Sequence, residues 1–311
     1  MGTGGVGAQG PGMDALFRRL RWPVLRRLAV HPGGDERSAV RGLGIEYNDV
    51  REYQPGDDPR LIDWNLTARS ETTYVRESYP ERGLDVWLLV DTSASLDWGT
   101  ARCLKRQLAL EMVAAATQLL ARHGNRVGAA LLDERVHQLL GPVAGRTAVM
   151  RLVAQVDRGM GSNESAGSTD LGRALTEAGR LIRRRSLVLV ISDFLSEPNW
   201  GLPLRSLCAR HEVIAARVMD PREEEIPDIG VVTFEDPESG RQLEVDTSSR
   251  RLREHFRQAA EEQRTRISQE VIAAGAGMLE LTTAEDLLPQ LVRFFRSRRA
   301  LLVAGGRGLP G

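Results

Sequence analysis

Five oxygen-bearing side chains stand at spacings that suit a hard divalent cation. Asp91, Ser93 and Ser95 alternate at and just past the end of an apolar run, DVWLLVD, over residues 85–91. Thr169 precedes a helical pattern that opens at Asp170, and Asp193 follows a second apolar run, SLVLVIS, over residues 186–192. Two carboxylates and three hydroxyls, with no His or Cys among them, form a donor set for Mg²⁺ or Mn²⁺, which prefer octahedral oxygen shells and keep several waters. The competing use of these residues is local: Asp91 can cap a helix start, and Ser93 and Ser95 can satisfy turn amides. The metal reading requires the two apolar runs to lie in one sheet and to end at the same edge.

The surrounding sequence supplies such a sheet. From residue 85 onward, apolar strand-sized runs alternate with helical patterns. Strands are expected over 85–91, 126–133, 135–140, 186–192, 212–218 and 278–281, and helices over 100–123, 146–156, 170–184, 202–210, 250–274 and 284–298. Continuous apolar strands separated by helices predict a doubly wound α/β fold, with a mainly parallel sheet covered on both faces. In such sheets ligands bind outside the carboxyl ends of the strands. Residues 230–246, with a Pro-Glu-Ser-Gly turn between VVTFED and RQLEVD, predict an inserted β-hairpin. Upstream, residues 14–30 predict a short basic amphipathic helix, and the Pro-, Gly- and Asp-rich stretch 37–82 predicts a β-rich extension with strands near 50–53 and 74–79. The expected organisation is a tail over 1–12, a helix and β-rich extension over 13–83, the sheet domain over 84–300, and a second tail over 301–311.

Asp91-x-Ser93-x-Ser95, Thr169 in GSTDLGRAL and Asp193 in VISDF together resemble the metal-ion-dependent adhesion site (MIDAS) of von Willebrand factor type A (vWA) domains. The segment 42–65, which carries Arg51, Asp57, Arg60, Asp63 and Trp64, is similar to the signature preceding the vWA domain in the bacterial domain-of-unknown-function family fifty-eight. The resemblance implies that Ser93, Ser95 and Thr169 contact a cation directly, while Asp91 and Asp193 act mostly through waters. It also implies an open coordination position for a partner's Asp or Glu, with Asp97, Glu164 or Asp170 as internal occupants of that position. It further implies partnership with a MoxR-type AAA+ ATPase. Arg51, Asp57, Arg60, Asp63 and Trp64 are expected to lock the extension together.

Composition narrows the alternatives. The chain has 311 residues, with 42 Lys plus Arg against 42 Asp plus Glu. That neutral balance argues against a surface devoted to nucleic acid or anionic lipid. The arginine runs at 183–185 and 296–299 fall at helix ends, where they suit the dipole. No run approaches the ~18 apolar residues needed to span a bilayer, and Cys103 and Cys208 are too few and too far apart in sequence for a disulfide framework. A cytoplasmic setting is therefore expected. The rival reading is a metal-assisted hydrolase or phosphatase with Asp91 as nucleophile and Asp193 as ligand. Ser93 stands where a second acid is expected, and Lys105, the one lysine of the chain, is set aside as lying inside a helix. No catalysis is expected.

Overall fold

The structure, a computed structural model, describes residues 50–53, 59, 62, 64–70, 72–76, 84–121, 125–161, 170–196, 199–235 and 242–305. The expected helix over 14–30 and the residues Asp57, Arg60, Asp63, Glu164 and Thr169 lie outside them. The domain is built on a six-stranded sheet: β3 (Asp85–Asp91), β4 (Arg126–Leu132), β5 (Val136–Val143), β6 (Leu187–Ser192), β7 (Glu212–Met219) and β10 (Gly277–Thr282). Their order is β10-β7-β6-β3-β4-β5. Every neighbouring pair is parallel except β4 with β5, which are antiparallel. This is the mainly parallel, doubly wound arrangement the apolar runs predict, and it is the vWA or Rossmann-like fold class.

Both faces of the sheet are covered, which is why the inner strands β3, β4, β6 and β7 are buried along nearly their whole length, whereas the edge strand β5 alternates. On one face Val86, Leu88 and Val90 of β3 pack with Leu108, Met112 and Val113 of α2 (Lys105–Leu120), Leu152 and Val156 of α3 (Arg146–Gly161), and Leu287 and Leu291 of α7 (Leu287–Gly305). On the other face Trp87 and Leu89 pack with Leu171 and Leu175 of α4 (Leu171–Leu181), Leu204 of α5 (Gly201–Cys208), and Ile267 and Val271 of α6 (Arg250–Ala274). Each fully buried aliphatic side chain contributes about 1.5–3 kcal/mol, so β3 and β6, buried along their whole length, are held most firmly.

The peripheral elements are small. β1 (Val50–Glu52) pairs antiparallel with β2 (Tyr74–Arg76), and α1 (Trp64–Thr67) lies between them in sequence. Arg51 falls in β1, whereas Trp64, expected to lock this extension, is 68% exposed. The buried anchor here is Val75, bridged to Ile62. The hairpin forms as β8 (Val231–Glu235) and β9 (Gln242–Asp246), and Thr247 closes its base by donating from N and Oγ1 to the Gly230 carbonyl.

Two boundaries differ from the sequence reading in ways that matter. The helix expected from residue 100 starts only at Lys105, because Thr100 turns away to bond Asp220 and Gln107 Oε1 accepts from Leu104 N. At the other end α7 runs to Gly305, into the stretch expected as a tail, since Ala300, Leu301, Leu302 and Ala304 are good helix formers.

Candidate metal centre

β3 and β6 are parallel neighbours in register, with Val90 opposite Ile191. Asp91 and Asp193 therefore emerge at one carboxyl edge of the sheet, as the metal reading requires. Both are 2% exposed. Asp91 Oδ1 accepts from Ser93 N at 2.9 Å and Oδ2 from Ser192 Oγ at 2.6 Å, while Ser93 Oγ and Ser95 Oγ lie 2.9 Å apart. The turn after β3, a single 3₁₀ segment over Ala94–Asp97, is anchored by buried Leu96 and brings the two hydroxyls together.

The electrostatics match this geometry. Burial, and then the neighbouring charge of Asp193, push the Asp91 carboxyl up to about 6, against hydrogen bonds from Ser192 and Ser93 that pull it down. An ionised Asp91 is thus short of positive charge. A buried Asp91 carboxylate without a cation beside it, next to two converging hydroxyls, fits Mg²⁺ or Mn²⁺ by donor chemistry. Among the described residues no three His, Cys, Asp or Glu side chains gather as a ready-made cage; this cluster relies on hydroxyls for the rest of its donors.

Asp193 is reached through backbone strain. Phe194 takes a left-handed conformation (φ 58°), uncommon for a bulky residue. This turns the chain so that Leu195 N donates to Asp193 Oδ1 at 3.1 Å and Phe194 N to Ser192 Oγ at 3.0 Å. The Phe194 ring is buried edge-on against Trp200, with centroids 5.1 Å apart, and that contact holds the conformation.

Lys105 is the residue that sequence reasoning misplaced. It is at the first position of α2, not its interior, and is 1% exposed. Its Nζ donates to Asp193 Oδ2 at 2.8 Å and also to Glu223 Oε1, in the 3₁₀ turn Pro221–Glu223 after β7. The Trp98 ring lies 6.0 Å from the ammonium. Burial pulls the lysine pKa down, but Asp193 and Glu223 outweigh it and hold the group above its ordinary value. A lysine therefore does reach this site, from the first turn of α2 rather than from a helix interior. Lys105 nevertheless faces inward, with two of its three ammonium donors taken by protein carboxylates. Its one legible signal was its rarity: 42 Lys plus Arg include a single Lys, leaving 41 Arg.

Beneath Lys105 lies a second network that the sequence did not disclose. Asp220 is 0% exposed and accepts from Thr100 N (2.8 Å), Thr100 Oγ1 (2.6 Å), Thr283 Oγ1 (2.5 Å) and Arg222 N (3.0 Å). It joins the loops after β3, β7 and β10. Of the expected internal occupants, Asp170 caps α4 by accepting from Arg173 N (2.8 Å) and also takes Asn199 Nδ2 (2.9 Å), which makes it a helix cap. Asp97 pairs with Arg106 at 3.0 Å on the surface. Both carboxylates are thus already engaged. Cys103 and Cys208 are free thiols, and burial pushes Cys103 up to about 11.

A family model described as "Protein of unknown function DUF58" matches residues 49–266. The chain is 39% identical over 300 residues to the uncharacterized protein Rv1480 of Mycobacterium tuberculosis, covering 95% of this chain and 92% of that one. A second relative, the uncharacterized protein MAV169 of Mycobacterium avium, is 41% identical over 138 residues, covering 44% of this chain and 80% of that one. Among solved structures, BatB from Bacteroides thetaiotaomicron overlaps with TM-score 0.45 at 16% identity, covering 70% of this chain and all of that one. The SpRpn10 VWA domain overlaps with TM-score 0.37 at 11% identity, covering 67% and 93%. At these scores the overlaps carry no weight beside the strand order itself. No helix among the described residues is long and apolar enough to cross a membrane.

Proposed function

The chain belongs to the DUF58 family, and from that premise we propose that it is a non-catalytic vWA-type interaction module whose Mg²⁺ or Mn²⁺ site captures a carboxylate on a partner protein. Asp91, Ser93, Ser95, Thr169 and Asp193 would hold the ion. When bound, such an ion supplies a Lewis-acidic position for an external Asp or Glu. The observation that carries the reading is the buried pair Asp91 and Asp193 at one sheet edge, with the Ser93 and Ser95 hydroxyls converging beside them. A hydroxyl-rich shell leaves a hard cation electron-poor, which favours an added anionic ligand.

The hydrolase alternative is less well supported. A nucleophilic Asp91 needs an oxygen open to substrate, whereas the residue is almost wholly buried. The natural partner in this proposal is a MoxR-type AAA+ ATPase, the association implied by the resemblance of residues 42–65, with clients that display an acidic side chain.

The test is retention of the MoxR-type ATPase of the same genome on the immobilised chain, with Mg²⁺ or with EDTA, for wild type and Asp91→Ala. Retention that needs both Mg²⁺ and Asp91 is expected. Retention indifferent to EDTA and to the substitution overturns the metal-bridge reading.

A further inference from the structure

The only lysine of the chain is buried against the candidate metal centre, in a protein that uses arginine at its 41 other cationic side-chain positions. A guanidinium is a broad planar fork, whereas an ammonium is a compact charge that fits between two carboxylates. The Lys105 pocket has that second shape: Asp193 on one side, Glu223 on the other, and the Trp98 ring nearby. Counting formal charges, Asp91, Asp193 and Glu223 against Lys105 leave a net charge of two negatives, the charge a divalent ion closes.

We propose that Lys105 is an internal counter-ion that sets the metal affinity of the centre, holding Asp193 in place without metal and keeping the ion exchangeable by repelling it. This rests on the metal reading above. In this arrangement Glu223 has the opposite role: by neutralising Lys105 it limits that repulsion. The geometry supports the assignment. Lys105 donates to Asp193 Oδ2 while Leu195 N donates to Oδ1, so both carboxylate oxygens are held in place before any ion arrives and each keeps a lone pair for it. A purely structural brace would not need its charge to sit against a carboxylate of the ion site. Two substitutions of opposite charge sign therefore separate the roles. Lys105→Met removes a positive charge and leaves the cluster more negative, and Glu223→Gln removes a negative charge and leaves it more positive. A unit charge acting on a divalent ion across one carboxyl group changes binding by about tenfold even with water-like screening.

The experiment is a Mn²⁺ titration at fixed pH 8, read by the electron paramagnetic resonance signal of free Mn²⁺, with the full chain and both variants. Thermal unfolding in EDTA is recorded in parallel. Lys105→Met is expected to bind Mn²⁺ about tenfold more tightly than wild type, to melt lower in EDTA, and to be rescued by Mn²⁺; Glu223→Gln is expected to bind about tenfold more weakly. Weaker binding by both variants, or unchanged binding by both, overturns the counter-ion role while leaving the metal-bridge reading standing. Tight binding by Lys105→Met with none by wild type supports the counter-ion role and sinks metal-dependent capture by the natural chain. No binding by any form overturns both. Should Lys105→Met fail to fold even with Mn²⁺, Glu223→Gln decides alone: weaker binding supports the proposal, and equal or tighter binding overturns it.

Discussion

Thr283→Val tests whether the three loops under the site are held by one buried carboxylate. The substitution keeps the volume and branching of the side chain and deletes one hydroxyl. Thr283 is fully buried, and its Oγ1 donates to Asp220 Oδ2 at 2.5 Å. After the change that oxygen retains the Thr100 amide, and Oδ1 retains Thr100 Oγ1 and Arg222 N. A hydrogen bond to a charged group contributes about 1.5–3 kcal/mol, and this one is short and fully buried, which places its loss at the upper end of that range although Oδ2 keeps a second donor. We therefore expect a loss of about 2–3 kcal/mol at pH 7, measured by urea unfolding with an unchanged slope. The pH dependence supplies the sharper check. Burial raises the Asp220 pKa, but the hydrogen bonds from Thr100, Thr283 and Arg222 outweigh it and leave the group below its ordinary 3.8. A depressed carboxyl pKa stabilises the fold above the unfolded value, and that contribution is lost as pH falls through the folded one. The gap between wild type and Thr283→Val should thus narrow in acid, below about pH 4. A deficit under about 0.5 kcal/mol at pH 7, or a gap that stays constant into acid, would mean that Asp220 does not tie these loops together.

Two further outcomes follow from the same geometry. Asp91, whose pKa is raised to about 6 from 3.8, is disfavoured as an anion in the metal-free fold. Its cost is absent below the unfolded pKa, grows between about pH 4 and 6, and reaches about 3 kcal/mol above that window. Asp91→Asn in EDTA should therefore gain stability relative to wild type as pH rises through that range while losing metal binding, and parallel stability curves across pH would count against it. Gly99→Ala should destabilise the loop before α2 by about 1–3 kcal/mol, because its Cβ would stand 2.6 Å from the Cys103 carbonyl oxygen and 2.7 Å from Leu104 Cα, both backbone atoms. Calorimetry showing an unchanged melting temperature would mean that this loop yields freely.

Several parts of the molecule were legible from residue order alone. The runs 85–91 and 186–192 are apolar at every interior position and strand-sized, as suits strands covered on both faces, and they form β3 and β6 at the sheet centre. Their terminal carboxylates then had to share an edge, because parallel strands point the same way. Local chemistry also announced the hairpin over 230–246. By contrast, the neighbours of Asp97 and Asp170 were not legible, since a linear pattern does not say that Arg106 will pair with the one or that Arg173 N and Asn199 will donate to the other.

Residue order alone marked the two central strands, and once β3 and β6 run parallel the meeting of Asp91 with Asp193 follows. Tertiary structure alone decided what stands behind that pair. Lys105 is 88 residues from Asp193 and 118 from Glu223, and Asp220 is 120 from Thr100. Periodicity reports which face of an element is buried, but a charged group is buried only where a partner from another loop neutralises it, and the chain folding in three dimensions chooses that partner.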